Sequence, residues 1–346
     1  MIQLAALTVL TFAISAETPV PFVVEEEAIE WDALDATTFD LNWSLPAAPP
    51  DDQPNLLAEM EALAAISFGL LDADGNTIET LGDFLTASRG KDFAQRSTWW
   101  NALAEQRPEL FTEWGRRLFL ICFDDHLVGA DWDPEEEHAR DGILEGQQWT
   151  LGDEAGAPWT DVKTTPTLNQ AALWIDADLA AIKQVENDYA RYPEHVDADF
   201  EEIYPVAGSA WRGRSKERGE FSGLRLYFRC DLPFPFSDYE CDLRMLNRRD
   251  ERGRLVTDIY STSSDFHWLA GRDVFVPLKT SSGSSAGYLL VRVYGFDLEG
   301  VPDRDHHRMR ALRASLGNLK RRAELVERSK IEDEVGVPGY VIRGVR

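Results

Sequence analysis

The chain has 346 residues, is 44% apolar and 11% aromatic, and carries a formal net charge of -26. This length and apolar content allow a sizeable core and more than one structural unit, and they exclude a chain that is disordered throughout. The charge repels nucleic-acid phosphates, so no nucleic-acid partner is expected. It is unevenly placed: residues 1–200 hold 39 Asp/Glu against 10 Lys/Arg, and residues 201–346 hold 22 against 25.

"MIQLAALTVLTFAISA" opens the chain with an apolar run and small residues near Ala16. It reads as a signal peptide over 1–16, which implies export to a periplasm or the extracellular space. The missing Lys or Arg before the apolar run and the bulk of Ile14 leave a buried N-terminal helix as the alternative. Residues 17–54 are acidic, Pro-rich and non-periodic, the texture of a solvated linker.

Residues 55–145 read as a helical region. "NLLAEMEALAAISFGLL" has an Asn cap and apolar residues at spacings of three and four, "STWWNALAEQ" opens on a Ser/Thr cap, and Pro108 stands in a helix-starting position. Within it, "DADGNTIETLGD" (72–83) resembles a calcium loop, but Thr77 and Asp83 replace the required Gly and Glu. A polar turn between helices fits it better. The acidic run around Asp124, Asp125, His126, Asp131, Asp133 and His138 reads as a solvated loop without zinc spacing.

From about 147 the texture changes. "TLNQAALWID" is strand-like and "ADLAAIKQVEND" helical. "FEEIYPV", "GLRLYFRCDL", "YECDLRML", "RLVTDIYS", "DVFVPLK" and "GYLLVRVYGFD" follow as short strands separated by turn residues. Such spacing predicts a meandering antiparallel sheet. A long basic helix closes the series, with Met309, Leu312, Leu316, Leu319, Ala323 and Val326 forming one apolar stripe. That stripe can cover the sheet's apolar face and leave a cavity between. Strand alternation assigns the lining to Leu226, Phe228, Leu243, Met245, Ile259, Val274, Val276, Val291 and Val293, under Leu312 and Leu316. A solid core fits the same pattern.

Cys230 and Cys241 are symmetric about the turn near 235–236, so they are expected to face one another, with a disulfide allowed by export. "WRGRSKERGE" and Lys320, Arg321 and Arg322 form basic stretches that read as a solvated loop and a solvated helix face, with lipid head groups as the alternative partner. No GxSxG, P-loop, dinucleotide fingerprint or HExxH occurs, and no metal or cofactor is expected.

Over residues 147–328 the order of elements, together with particular residues, resembles the START-like lipid-transfer (SRPBCC, helix-grip) superfamily. The residues are "WTLGDEAGAPWTDV", the helix end with Asp188, Tyr189, Tyr192 and Pro193, the hairpin with Pro233, Pro235, Ser237 and Asp238, and Asp297, Gly300 and Pro302 before the last helix. Tyr239 and Glu240 depart from the family's usual Arg and Asp, and the approach to the last helix is one residue shorter. The resemblance implies an α+β helix-grip fold, with a curved antiparallel sheet around a long C-terminal helix and a lipid or other hydrophobic small molecule as partner.

It also implies a gate, placed on Phe266, Trp268 and Leu269 in "STSSDFHWLAGRD", opening in transient contact with a membrane surface. A loop tucked into the core is the alternative for that stretch. Relatives that are cyclases or hydrolases make an enzyme using the same cavity the second functional reading. A protein-interaction module in residues 55–145 is the third. Residues 329–346 read as a tail.

Overall fold

The computed structural model describes residues 45–46, 48–91, 93–122, 142–151, 166–189, 200–207, 209–215, 219–230, 239–261, 266–298 and 304–335. Four helices come first: α1 (Leu56–Ala64), α2 (Leu81–Ser88), α3 (Phe93–Gln106) and α4 (Pro108–Cys122), with a small hairpin of β1 (Leu70–Leu71) and β2 (Thr77–Ile78) between α1 and α2. The sheet follows: β3 (Ile143–Thr150), β4 (Thr167–Ile175), β5 (Phe200–Pro205), β6 (Trp211–Ser215), β7 (Gly219–Cys230), β8 (Tyr239–Arg249), β9 (Leu255–Ser261), β10 (Phe266–Lys279) and β11 (Ser285–Leu298). Helix α5 (Leu179–Glu186) lies between β4 and β5 in the chain, and α6 (Arg304–Val335) ends the described part.

Every strand pair is antiparallel, in the order β3-β4-β11-β10-β9-β8-β7-β5, with β6 also on β7. With the long helix against it, this is an α+β helix-grip arrangement.

Pleating sends alternate residues to opposite faces. One face carries Ala171, Leu173, Phe275 and Leu290, which pack with Ile182 of α5 and with Leu312, Leu316, Leu319 and Ala323 of α6. The opposite face carries Ala172, Trp174, Val274, Val276, Leu289 and Val291, which pack with Met60 and Leu63 of α1, Phe84 and Leu85 of α2, and Leu118 of α4. The sheet is therefore the middle of three layers. Because β10 is covered on both faces, it is buried at every position from Trp268 to Val276 rather than at alternate ones.

Local chemistry fixes the N-terminal layer. Thr80 and Asp83 make a reciprocal capping box at α2, and Asp83 also accepts from the Ser281 backbone N–H at 3.0 Å. Gly82 lets the helix approach β10: a Cβ there would stand 2.3 Å from the Lys279 carbonyl oxygen. The end of the supposed linker is also held. Arg272 donates to the carbonyls of Leu45 and Pro46, and the Gln170 amide spans the Leu56 N–H and the Pro54 carbonyl. Leu45 is buried. Solvation thus does not extend to the end of residues 17–54.

Other expectations are adjusted in the same way. The sheet starts at Ile143, inside the stretch read as helical, and α6 continues to Val335, inside the stretch read as tail. The turn in 72–83 joins two short strands rather than two helices: Asp72 accepts from the N–H groups of Asp74 and Asn76. Residues 211–215 are strand β6, not loop. Residues 1–44, the acidic 123–141, and Tyr192, Pro193, Pro233, Pro235, Ser237, Asp238, Gly300 and Pro302 lie outside the described residues.

Candidate ligand-binding site

The α6 side of the sheet is organised in rows that cross the strands. Register places Phe296, Leu269, Ser261, Leu243, Leu226 and Pro205 in one row, from β11 to β5. Phe228 and Cys241 begin the next row in the direction of the β7–β8 hairpin. Of these, Phe296, Leu269, Leu243, Leu226, Phe228 and Cys241 form a packed cluster with Phe266 and Ile203. On the other side of that row lie Tyr294, Gly271, Ile259, Met245 and Leu224. Gly271 makes this row shallow: a Cβ there would meet Ile259 Cγ1 and Tyr294 Cδ2, each at 3.0 Å. The four side chains Tyr294, Ile259, Met245 and Leu224 are half-buried, although they face the helices.

Helix α6 supplies Ala311 next to this cluster, and Tyr189, beyond the end of α5, packs on it too. The Tyr189 hydroxyl donates to Asn187 Oδ1 at 3.2 Å, so the ring is apolar cover with a satisfied polar tip.

Leu226, Phe228, Leu243, Met245 and Ile259 thus lie on the α6 side, with Leu312 and Leu316 on the helix over the β4–β11 half. Val274, Val276, Val291 and Val293 do not join them. Val274 pairs with Val291, both pack on the opposite face against the N-terminal helices, and Val276 is there with them. Val293 packs with Trp149, Leu168 and Trp268 on that same face. Val274, Val291 and Val293 line a cavity of about 20 Å³ with Leu45, Pro46, Trp149 and Arg272, room for about one water molecule and far too small for a lipid.

The gate assignment is likewise corrected. Phe266, Trp268 and Leu269 are part of strand β10 and are 5%, 0% and 1% exposed. Phe266 and Leu269 belong to the cluster on the α6 side, whereas Trp268 belongs to the cluster on the other face. Three residues divided between two faces cannot move as one lid.

The disulfide is corrected too. The register pairs Phe228 with Cys241 and Cys230 with Tyr239, two residues away from symmetry about 235–236. Cys241 is a free buried thiol whose sulfur donates to Ser261 Oγ at 2.7 Å.

Polar groups on this side were not anticipated. Asp273 accepts from Arg292 Nε and Nη2 at 2.7 and 2.6 Å, and Arg292 Nη1 donates to Ser315 of α6 at 2.9 Å. Lys183 of α5 donates to Glu186 at 2.5 Å and to Thr257 Oγ1 at 3.3 Å, and Thr257 donates to Asn247 Oδ1 at 2.7 Å. A polar residue in a strand reads as facing water. Here α5 and α6 lie on that side instead, and only the register reveals it. Lys320, read as part of a solvated face, is 1% exposed and donates to the Trp174 carbonyl at 2.6 Å. Among the described residues no group of His, Cys, Asp and Glu is arranged to hold a metal ion, and no helix is long and apolar enough to cross a membrane.

No protein-family model matches the chain, and no curated protein sequence matches it. Solved structures do. The STAR-related lipid transfer protein (fragment 25–204) from Xanthomonas axonopodis is 10% identical with a TM-score of 0.37, over 52% of this chain and 98% of its own. Human STARD10 is 12% identical with a TM-score of 0.34, over 62% and 86%. The di-domain ARO/CYC StfQ from the steffimycin biosynthetic pathway is 15% identical with a TM-score of 0.31, over 49% and 52%. These matches span 49–62% of this chain.

Proposed function

We propose that this protein binds a lipid or another hydrophobic small molecule between strands β7–β11 and helices α5 and α6. One observation carries the reading. Tyr294, Ile259, Met245 and Leu224 form a row that faces the helices yet stays half-buried, beside Leu243, Leu226 and Phe228, which are buried. A contiguous apolar surface left open inside a grip is stabilised by an apolar occupant, at roughly 25 cal/mol per Å² covered. Organic extraction of protein purified from its native host, followed by mass spectrometry, tests this. A co-purified apolar molecule is expected. Protein that is repeatedly ligand-free and takes up no apolar dye contradicts it.

A second reading, an enzyme of the cyclase or hydrolase type in the same site, has one observation in its favour. Asp273 and Arg292 are ionisable, face the helices and are within hydrogen-bond reach of each other. Recovery of the extracted molecule unchanged after incubation with the protein supports binding alone. A mass change that Asp273→Asn abolishes supports the enzyme.

A further inference from the structure

The row next to Ile259 and Met245 is polar in each strand from β11 to β7. Arg292 pairs with Asp273, Asp273 with Thr257, Thr257 with Asn247, and Asn247 with Ser222, from β11 to β7. Strands are about 4.8 Å apart, so four spacings make a band roughly 19 Å long, about 7 Å from the apolar row. A polar band on an inner face is costly unless its groups are bonded. Most of these are. The cations have their own carboxylates, Arg292 with Asp273 and Lys183 with Glu186, and Thr257 stands between Lys183 and Asn247.

Two groups are left over. The Asn247 amide nitrogen and the Ser222 hydroxyl make no hydrogen bond among the described residues, and both side chains are half-buried. They flank Met245 and Leu224 directly along strands β8 and β7. Reachable apolar and reachable polar groups thus form two parallel strips on one surface.

From this we infer that the ligand is an amphiphile whose polar group is uncharged, a hydroxyl or carbonyl oxygen held by Asn247 and Ser222, with its apolar skeleton on Leu224, Met245 and Ile259. The inference rests on the ligand-binding reading above. The internal pairing decides the charge. A carboxylate or phosphate would be desolvated beside cations already neutralised by Asp273 and Glu186, whereas the Asn247 N–H can donate to a neutral oxygen and the Ser222 hydroxyl can donate to a carbonyl or accept from a ligand hydroxyl.

Displacement of the neutral dye N-phenyl-1-naphthylamine at pH 8 tests it, with 1-dodecanol and dodecanoate as competitors. Dodecanol should displace the dye at about tenfold lower concentration than dodecanoate, the worth of one hydrogen bond. Asn247→Leu should retain the dye and weaken dodecanol about tenfold, with an unfolding midpoint below wild type because the buried Thr257 hydroxyl loses its acceptor. Ser222→Ala, a smaller change, should weaken dodecanol in the same direction. Dye binding with dodecanoate equal or superior to dodecanol, or with dodecanol unaffected in both variants, overturns the inference and leaves the binding reading intact. Failure of the wild-type protein to bind the dye at all removes the binding reading, and this inference with it.

Discussion

Trp268 shows how a single side chain can be misread. The stretch from 261 has Ser, Thr and Asp followed by Phe, Trp and Leu, then Gly271, and it resembles a loop with an apolar tip. In the structure Gly271 marks no turn. It is a strand residue whose missing side chain makes room for Ile259 and Tyr294. Trp268 is fully buried, so Trp268→Ala should cost about 3–5 kcal/mol in chemical denaturation. Asp83 gives a second residue-scale prediction. Burial pushes its carboxyl upward, but the N–H groups of Ser281, Thr80 and Glu79 and the Thr80 hydroxyl outweigh burial and hold it below the ordinary 3.8. A depressed carboxyl contributes stability that is present above pH 3.8 and lost as pH falls through its folded value. Asp83→Asn should therefore destabilise by about 1 kcal/mol at pH 7, the worth of a cap, and the difference from wild type should shrink well below pH 3.8.

At the scale of elements, β4, β5, β7, β8, β9, β11, the second half of β10 and the last helix are legible because their signals are local, whereas β6 and the first half of β10 read as loops. Turn residues bound the legible strands, and a stripe at spacings of three and four defines α6. The phase of β10 and β11 was not legible. Val274 and Phe275 are adjacent, both apolar and both buried, and only the partner layers distinguish their faces. Hairpin register was lost for a similar reason, since symmetry about a turn assumes a loop length that sequence does not fix. Two elements make testable contacts across layers. Gly82→Ala drives a methyl into the Lys279 carbonyl, and α2 must withdraw from β10, at a cost of about 1–3 kcal/mol in unfolding measurements. Lys320 donates to Glu324 at 3.1 Å where both are buried. Lys320→Ala leaves Glu324 with the Asp176 N–H and the more distant Arg328 and should cost about 3 kcal/mol, whereas Lys320→Met combined with Glu324→Gln should cost less than the single change.

For the whole molecule, the three layers explain which features are legible in the sequence and which are not. Residues 147–328 carried the helix-grip order, but nothing in residues 55–122 announced that their helices cover the sheet's second face. The ligand proposed above needs the α6 side, because the cavity on the opposite face holds about 20 Å³. Titration of a neutral apolar dye against the full chain and two variants tests this most directly. Met245→Glu places a carboxylate in the half-buried row and should weaken binding at least about tenfold, with an unfolding midpoint near wild type. Val293→Ala alters the opposite face and should bind as wild type does. Binding that survives Met245→Glu unchanged, or that is lost in a folded Val293→Ala protein, would contradict the account.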